Sequence, residues 1–157
     1  QLALALGERD PALFELGARD FGENRHQEAQ EKSQELAHLP LKWHFIGQLQ
    51  GNKTREVAER FQWVHTLDRE RIATRLAAQR PHYAGPLDVL LQVKLDAEPG
   101  KGGVEPEALP RLAEIVGGLP AGRALLRGNM TTPEPEPFFA VKKSDTAAAQ
   151  SAAVSSD

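Results

Sequence analysis

Val89-Leu90-Leu91-Gln92-Val93, entered through the turn Gly85-Pro86, is the clearest strand signal in the chain, and the fold reads outward from it. On its N-terminal side, Ile72, Ala73, Leu76 and Ala77 recur at helical spacing behind Asp68, which suits a helix cap. On its C-terminal side, Pro106 opens a second helix with Leu109, Leu112, Ala113 and Val116 in register, and Gly117-Gly118 stops it. The stretch therefore reads as one strand held between two amphipathic helices.

The same alternation extends in both directions. Arg19 to Gly22, Trp43 to Gly47, Trp63 to Thr66 and Leu125 to Arg127 are strand candidates. Between them, Asp10-Pro11 starts a helix with Leu13, Phe14 and Leu16 as its apolar stripe and Gly17 at its end. Glu28 to Leu39 reads as a polar helix closed by Pro40, and Lys53 to Phe61 as one with Val57, Ala58 and Phe61 on one side. The opening Gln1-Leu2-Ala3-Leu4-Ala5-Leu6 has no basic flank, so it suits a buried strand better than a signal peptide. Strands alternating with helices imply right-handed βαβ units and a parallel sheet. A repeat of about 25 to 30 residues fits a (β/α)8 barrel and also a smaller doubly wound sheet. Periodicity does not choose between them.

Composition narrows the function. With 40% hydrophobic and 26% charged residues, the 157-residue chain suits one soluble domain with a core. The absence of cysteine rules out disulfides, thiolate metal sites and a cysteine nucleophile, and fits a reducing, cytoplasmic setting. A net charge of −3, with 19 basic residues interleaved among 22 acidic ones, argues against a nucleic-acid scaffold. No apolar run approaches the roughly 20 residues that a membrane span needs.

The expected domain covers residues 1–139. Pro133-Glu134-Pro135-Glu136-Pro137 is a stiff extended stretch, and residues 140–157 hold only Ala, Ser, Val, Lys, Asp, Thr and Gln. With no large apolar side chain to bury, that tail is expected to be disordered or a weak Ala-rich helix.

Most generic motifs fail on inspection. Gly100-Lys101-Gly102-Gly103 lacks the earlier glycine of a phosphate loop, because position 95 is Leu, and no Ser or Thr follows its Lys. The five histidines show no paired metal-ligand spacing, and there is no G-x-S-x-G elbow. Two segments carry more information. Phe21-Gly22-Glu23-Asn24-Arg25 and Trp43-His44-Phe45-Ile46-Gly47-Gln48-Leu49-Gln50 each place polar residues directly after a strand candidate. In parallel α/β proteins that end of the sheet is the site face. The competing interpretation makes Asn24 and Asn52 helix caps and His44 a satisfied imidazole inside a strand; spacing alone favours it.

FGENRHQEAQEK (21–32), WHFIGQLQGNK (43–53), VHTLD (64–68), VLLQVKLDAEPGKGG (89–103) and LRGNM (126–130) follow the order and spacing of the pyridoxal phosphate (PLP) homeostasis proteins. The resemblance runs from about Ala12 to Phe138. It implies a fold-type III barrel like the N-terminal domain of alanine racemase, here about six of eight βα units. It also implies a cytoplasmic, non-enzymatic vitamin B6 carrier that binds PLP and delivers it to apo-enzymes. By that resemblance Asn24, His44 and Met130 face the cofactor.

The departures concern the same cofactor. The family's Schiff-base lysine aligns with Ala3, and no lysine precedes Lys32. The phosphate-binding and ring-nitrogen residues of the family belong to its last two strands, and nothing after Met130 matches them. The expectation is a chain truncated at both ends, with two alternatives: a remnant without ligand, and a racemase-like PLP enzyme. Lys94 stands where the family carries Asn, and shares a strand face with Gln92. If that face is the barrel interior, Lys94 becomes a candidate for an ectopic Schiff base. Six strands of eight would leave two open edges, so a monomer or a weak homo-oligomer is expected.

Overall fold

The computed structural model describes residues 2–4, 10–95 and 100–131. Six strands form one sheet: β1 (Leu2–Leu4), β2 (Asp20–Glu23), β3 (Lys42–Phe45), β4 (Trp63–Leu67), β5 (Leu87–Val93) and β6 (Ala124–Thr131). The helices between them are α1 (Asp10–Glu15), α2 (His26–Glu35), α3 (Thr54–Arg60), α4 (Glu70–Gln79) and α5 (Leu109–Gly117). All five strand pairs are parallel and the order is β1-β2-β3-β4-β5-β6.

That order settles what periodicity left open. A doubly wound sheet reverses its strand order at a switch point, whereas here every crossover steps the same way. Right-handed crossovers that all advance in one direction lay their helices on one face of the sheet. Neighbouring helices accordingly touch in sequence, α2 on α3, α3 on α4 and α4 on α5. This is the wall of an incomplete (β/α) barrel.

The two sheet faces differ in burial. On β5, Leu87, Val89, Leu91 and Val93 are buried, while Asp88 and Leu90 between them are only partly so. The buried set continues through Phe21, Trp43, Phe45 and Val64, which pack with Val57, Ile72, Leu76, Leu112 and Val116 from the helices. The opposite face, which a closed barrel would turn inward, carries Asp20, His44, Trp63, His65 and Asp88. Among the described residues no helix is long and apolar enough to cross a membrane.

Arg80, only 2% exposed, ties three elements together at the end of α4. Its guanidinium donates to the carbonyls of Ala58 (2.7 Å), Phe61 (2.6 Å), Ala84 (3.1 Å) and Gly85 (2.8 Å). A planar fork with five N–H donors can serve several backbone acceptors at once. Arg80 thereby holds the C-terminal end of α3 and the turn before β5.

Several expectations need correction. Asp68 does not cap α4: Arg69 occupies that position, and Asp68 Oδ2 instead accepts from Gly103 N at 3.0 Å. Helix α2 starts at His26 and ends at Glu35, the chain to Leu39 being turns. Pro106 opens a short 3-10 turn, and α5 follows from Leu109. Leu16 lies 84% exposed outside the apolar stripe, because α1 ends at Glu15. Strand β6 is longer than Leu125–Arg127, since a bulge between Val89 and Leu90 lets its pairing run on to Val93↔Thr131. The Pro-Glu stretch and the 140–157 tail lie outside the described residues.

Candidate functional site

The C-terminal ends of β2 to β5 form a mouth built from the two loops that the sequence singled out. Buried Glu23 ends β2 and organises the first loop. Its Oε1 accepts from Asn24 N (3.0 Å) and Arg25 N (3.4 Å), and its Oε2 from Lys32 Nζ on α2 (2.9 Å). The second loop docks onto the first, with Ile46 N donating to Glu23 O at 3.0 Å. Gly47 then lies so close to Asn24 that a Cβ would overlap the Asn24 carbonyl oxygen. Thr66 on β4 donates its hydroxyl to Gly47 O, so three strand ends converge on one glycine.

Two shallow clefts flank this contact. One of about 230 Å³ lies among Asn24, Arg25, Phe45, Gln48 and Lys53. The other, about 290 Å³, lies among Gln48, Thr66, Asp68, Arg69 and the Gly100–Gly103 turn. Both fall just below the roughly 300 Å³ at which ligand pockets usually begin. Gly103 presses on the Lys94 backbone, and Lys94 N donates to Val104 O at 2.9 Å, so the turn closes over the end of β5.

Among the described residues, no hydrogen bond, ion pair or ring contact joins the four singled out from sequence to one another. Asn24 is exposed at the rim of the smaller cleft. It is not a helix cap, because Arg25 holds that position for α2, and Lys53 rather than Asn52 precedes α3. Lys94 follows β5, and its Nζ stands 3.5 Å from Glu105 Oε1. Met130 is partly buried on β6, in register with Gln92.

His44 lies deeper, on the open sheet face, with both ring nitrogens engaged. Its Nε2 is 2.9 Å from Asp20 Oδ1 and its Nδ1 is 2.9 Å from His65 Nε2. Its ring stacks on Trp63 at 5.4 Å and 8°. Burial pulls the His44 pKa below the ordinary histidine value, against the opposing pull of Asp20. Burial, and then the His44 charge, pull His65 down to about 4. Asp20, Trp63 and His65 were not singled out from the sequence. Their signal is the alternation along β2, β3 and β4, which becomes readable only once the register Gly22↔His44↔Trp63 is fixed.

The first strand does not supply the amine that a covalently held aldehyde cofactor needs. Ala3 stands on β1 in register with Phe21 and brings no amine. His44 has no ring nitrogen left for a ligand. Among the described residues no group of three His, Cys, Asp or Glu is placed to hold a metal ion.

Comparison with known proteins places this chain in a family. Residues 5–153 match the model of the alanine racemase N-terminal domain, and the chain belongs to that family. Its curated relatives are pyridoxal phosphate homeostasis proteins. The one from Pseudomonas aeruginosa is 59% identical over 119 residues, covering 76% of this chain and 51% of the relative. The one from Vibrio cholerae is 51% identical over 127 residues, covering 78% and 53%. The chain thus spans about half the length of these relatives. Among solved structures, PipY of Synechococcus elongatus with PLP bound superposes with a TM-score of 0.70 at 32% identity. That match covers 98% of this chain and 71% of PipY. An alanine racemase from Clostridium difficile shares the fold at a TM-score of 0.64 and 14% identity, covering 83% of this chain and 35% of the racemase.

Proposed function

We propose that this chain is part of a non-catalytic PLP-handling protein of vitamin B6 homeostasis, and that it supplies the β1–β6 wall of the cofactor mouth. The observation that carries this reading is the packing of Gly47 onto Asn24. It joins the two segments, FGEN and WHFIG, on which the resemblance to the PLP homeostasis proteins rests. Asn24 and Met130 are proposed to flank the cofactor, and His44 to act beneath it through its neighbours. The protein works in the cytoplasm, as a monomer or weak homo-oligomer, and passes PLP to apo-enzymes.

PLP itself would supply an aldehyde for an amine and a phosphate for donors. The Schiff-base amine is lacking at Ala3, so binding by this chain is weak, and any imine falls to another lysine. Each charge-assisted contact that is missing removes roughly 1.5–3 kcal/mol. Ala3 also favours a second reading, a remnant that holds no ligand. The test is titration with PLP, read by calorimetry and aldimine absorbance, followed by amino acids to look for turnover. The wild-type chain should give no stoichiometric complex and no turnover, while Ala3→Lys should gain a borohydride-stable label at position 3. Turnover by the wild type would overturn the non-catalytic reading, and an Ala3→Lys chain that stays unlabelled at that position would favour the remnant.

A further inference from the structure

We propose that Asp20, His44 and His65 form a proton-accepting row across β2, β3 and β4, whose second protonation breaks the His44–His65 bond between β3 and β4 and loosens the Asn24–Gly47 mouth. This rests on the geometry of the row and not on cofactor binding.

The proton positions follow from the partners. A carboxylate only accepts, so the 2.9 Å contact requires His44 Nε2–H to donate to Asp20 Oδ1. The neutral ring then has a bare Nδ1, and His65 must donate to it through Nε2–H across 2.9 Å. That leaves Nδ1 of His65 without a proton, as the basic end of the row. A first proton taken up at that nitrogen leaves the row whole. The Nε2 proton of His65 can pass to His44 Nδ1, giving an imidazolium beside Asp20, with the His44–His65 bond now donated in the opposite sense. A second proton has no such accommodation, because both facing nitrogens then carry hydrogen and both rings are cationic. The bond must break.

The surroundings favour this order. Among the described residues, Asp20 on β2 raises the basicity of His44, Lys42 on β3 opposes it and Asp88 on β5 adds to it. Asp88 is itself engaged by Arg127 of β6 at 2.6 Å. His65 has His44 as its charged neighbour, so it takes its proton last and near pH 4.

The row matters mechanically because the β3–β4 ladder is short. It registers only His44↔Trp63 and Phe45↔Val64, with Gln62 N donating to Trp43 O just before it. Beyond the row, Thr66 is the next tie, and it holds Gly47 against Asn24. Repulsion between His44 and His65 therefore acts on the strand ends that shape the mouth.

The experiment uses the full chain with 15N-labelled histidine. Long-range 1H–15N spectra at pH 7.5 should show the Nε2–H tautomer for both His44 and His65, and acidification should charge His44 first. Trp63 fluorescence in Trp43→Phe, which removes the other tryptophan, should report two acid steps through the stacked His44 ring. Amide exchange at Asn24 and Gly47 should rise with the second step only. In His65→Gln the amide still donates to His44 but cannot titrate, so the second step should vanish. In Asp20→Asn the first step should move down by about one pH unit or more. An Nδ1–H tautomer on His44, or two histidines titrating independently in all three proteins, would overturn the proposal. The wild-type tautomers decide it even where a variant does not fold.

Discussion

Gly47 lies against the backbone of Asn24, with room for a hydrogen and none for a methyl group. A Cβ at position 47 would overlap the Asn24 carbonyl oxygen and sit 2.9 Å from its carbonyl carbon. Neither atom belongs to a side chain that can swing aside. The glycine is required by this close approach and not by its own torsion angles, since its φ is not among the positive ones.

Gly47→Ala should therefore destabilise the chain by about 1–3 kcal/mol, the usual cost of forcing extra volume into a packed contact. It should also displace the Asn24–Arg25 loop. Gly122→Ala is the control, because a Cβ there meets nothing within 4 Å. Urea denaturation of both variants measures the difference, and equal midpoints would refute the close contact.

Arg80 makes a second prediction. Arg80→Met leaves four backbone carbonyls without their donor. The loss should be at least about 3 kcal/mol, because buried acceptors without partners cost more than the net value of the bonds. Arg80→Lys should rescue little, since one ammonium cannot span carbonyls that a planar fork reaches together. Thermal unfolding of the three proteins ranks them.

How much of this was legible from sequence depends on what each feature requires. The alternation around Val89–Val93 needs only neighbours in the chain, and β5 falls where that pattern places it. Barrel versus doubly wound sheet depends on the direction of each crossover, which periodicity does not encode. Arg80 follows an amphipathic helix as any surface arginine would, and its acceptors at Ala58 and Phe61 are backbone atoms with no sequence signature. His44 was read in two ways, as a site residue and as a satisfied strand imidazole. Both its nitrogens are satisfied, but by Asp20 and His65, which become partners only through strand register.

Acid should weaken the fold through these same histidines. Both have folded-state pKa values below the ordinary 6.5, with His65 at about 4. The unfolded chain therefore binds more protons between those limits, so the stabilisation is full above pH 6.5 and is lost as pH falls toward 4. His65 is partly exposed, and solvent screening trims its share to about 1–2 kcal/mol across that window. Denaturation midpoints measured from pH 7.5 to 4 should fall, and the fall should shrink in His65→Gln. A flat profile in the wild type would contradict the burial of the two rings.

Lys94 supports the most exposed prediction. It follows β5 on the side of Asp88, Leu90 and Gln92, the face that a closed barrel would turn inward. Its side chain is 20% exposed, whereas its ion-pair partner Glu105 is 63% exposed, and the 3.5 Å separation is loose. An ion pair with one largely solvated partner contributes little, about 0–1 kcal/mol, so the amine can be drawn off by a stronger competitor. An aldehyde at the mouth is such a competitor, because an imine is covalent. With no lysine at position 3, Lys94 is proposed as the amine best placed to replace it. PLP treatment, borohydride reduction and peptide mass mapping should find label on the peptide holding Lys94 in excess of Lys42, Lys53 and Lys101. Glu105→Gln, which removes the competing charge, should increase that label two-fold or more, taking about 0.4 kcal/mol as the weight of the pair. Label spread evenly over the surface lysines, or unchanged in Glu105→Gln, would return Lys94 to the role of a solvated strand end.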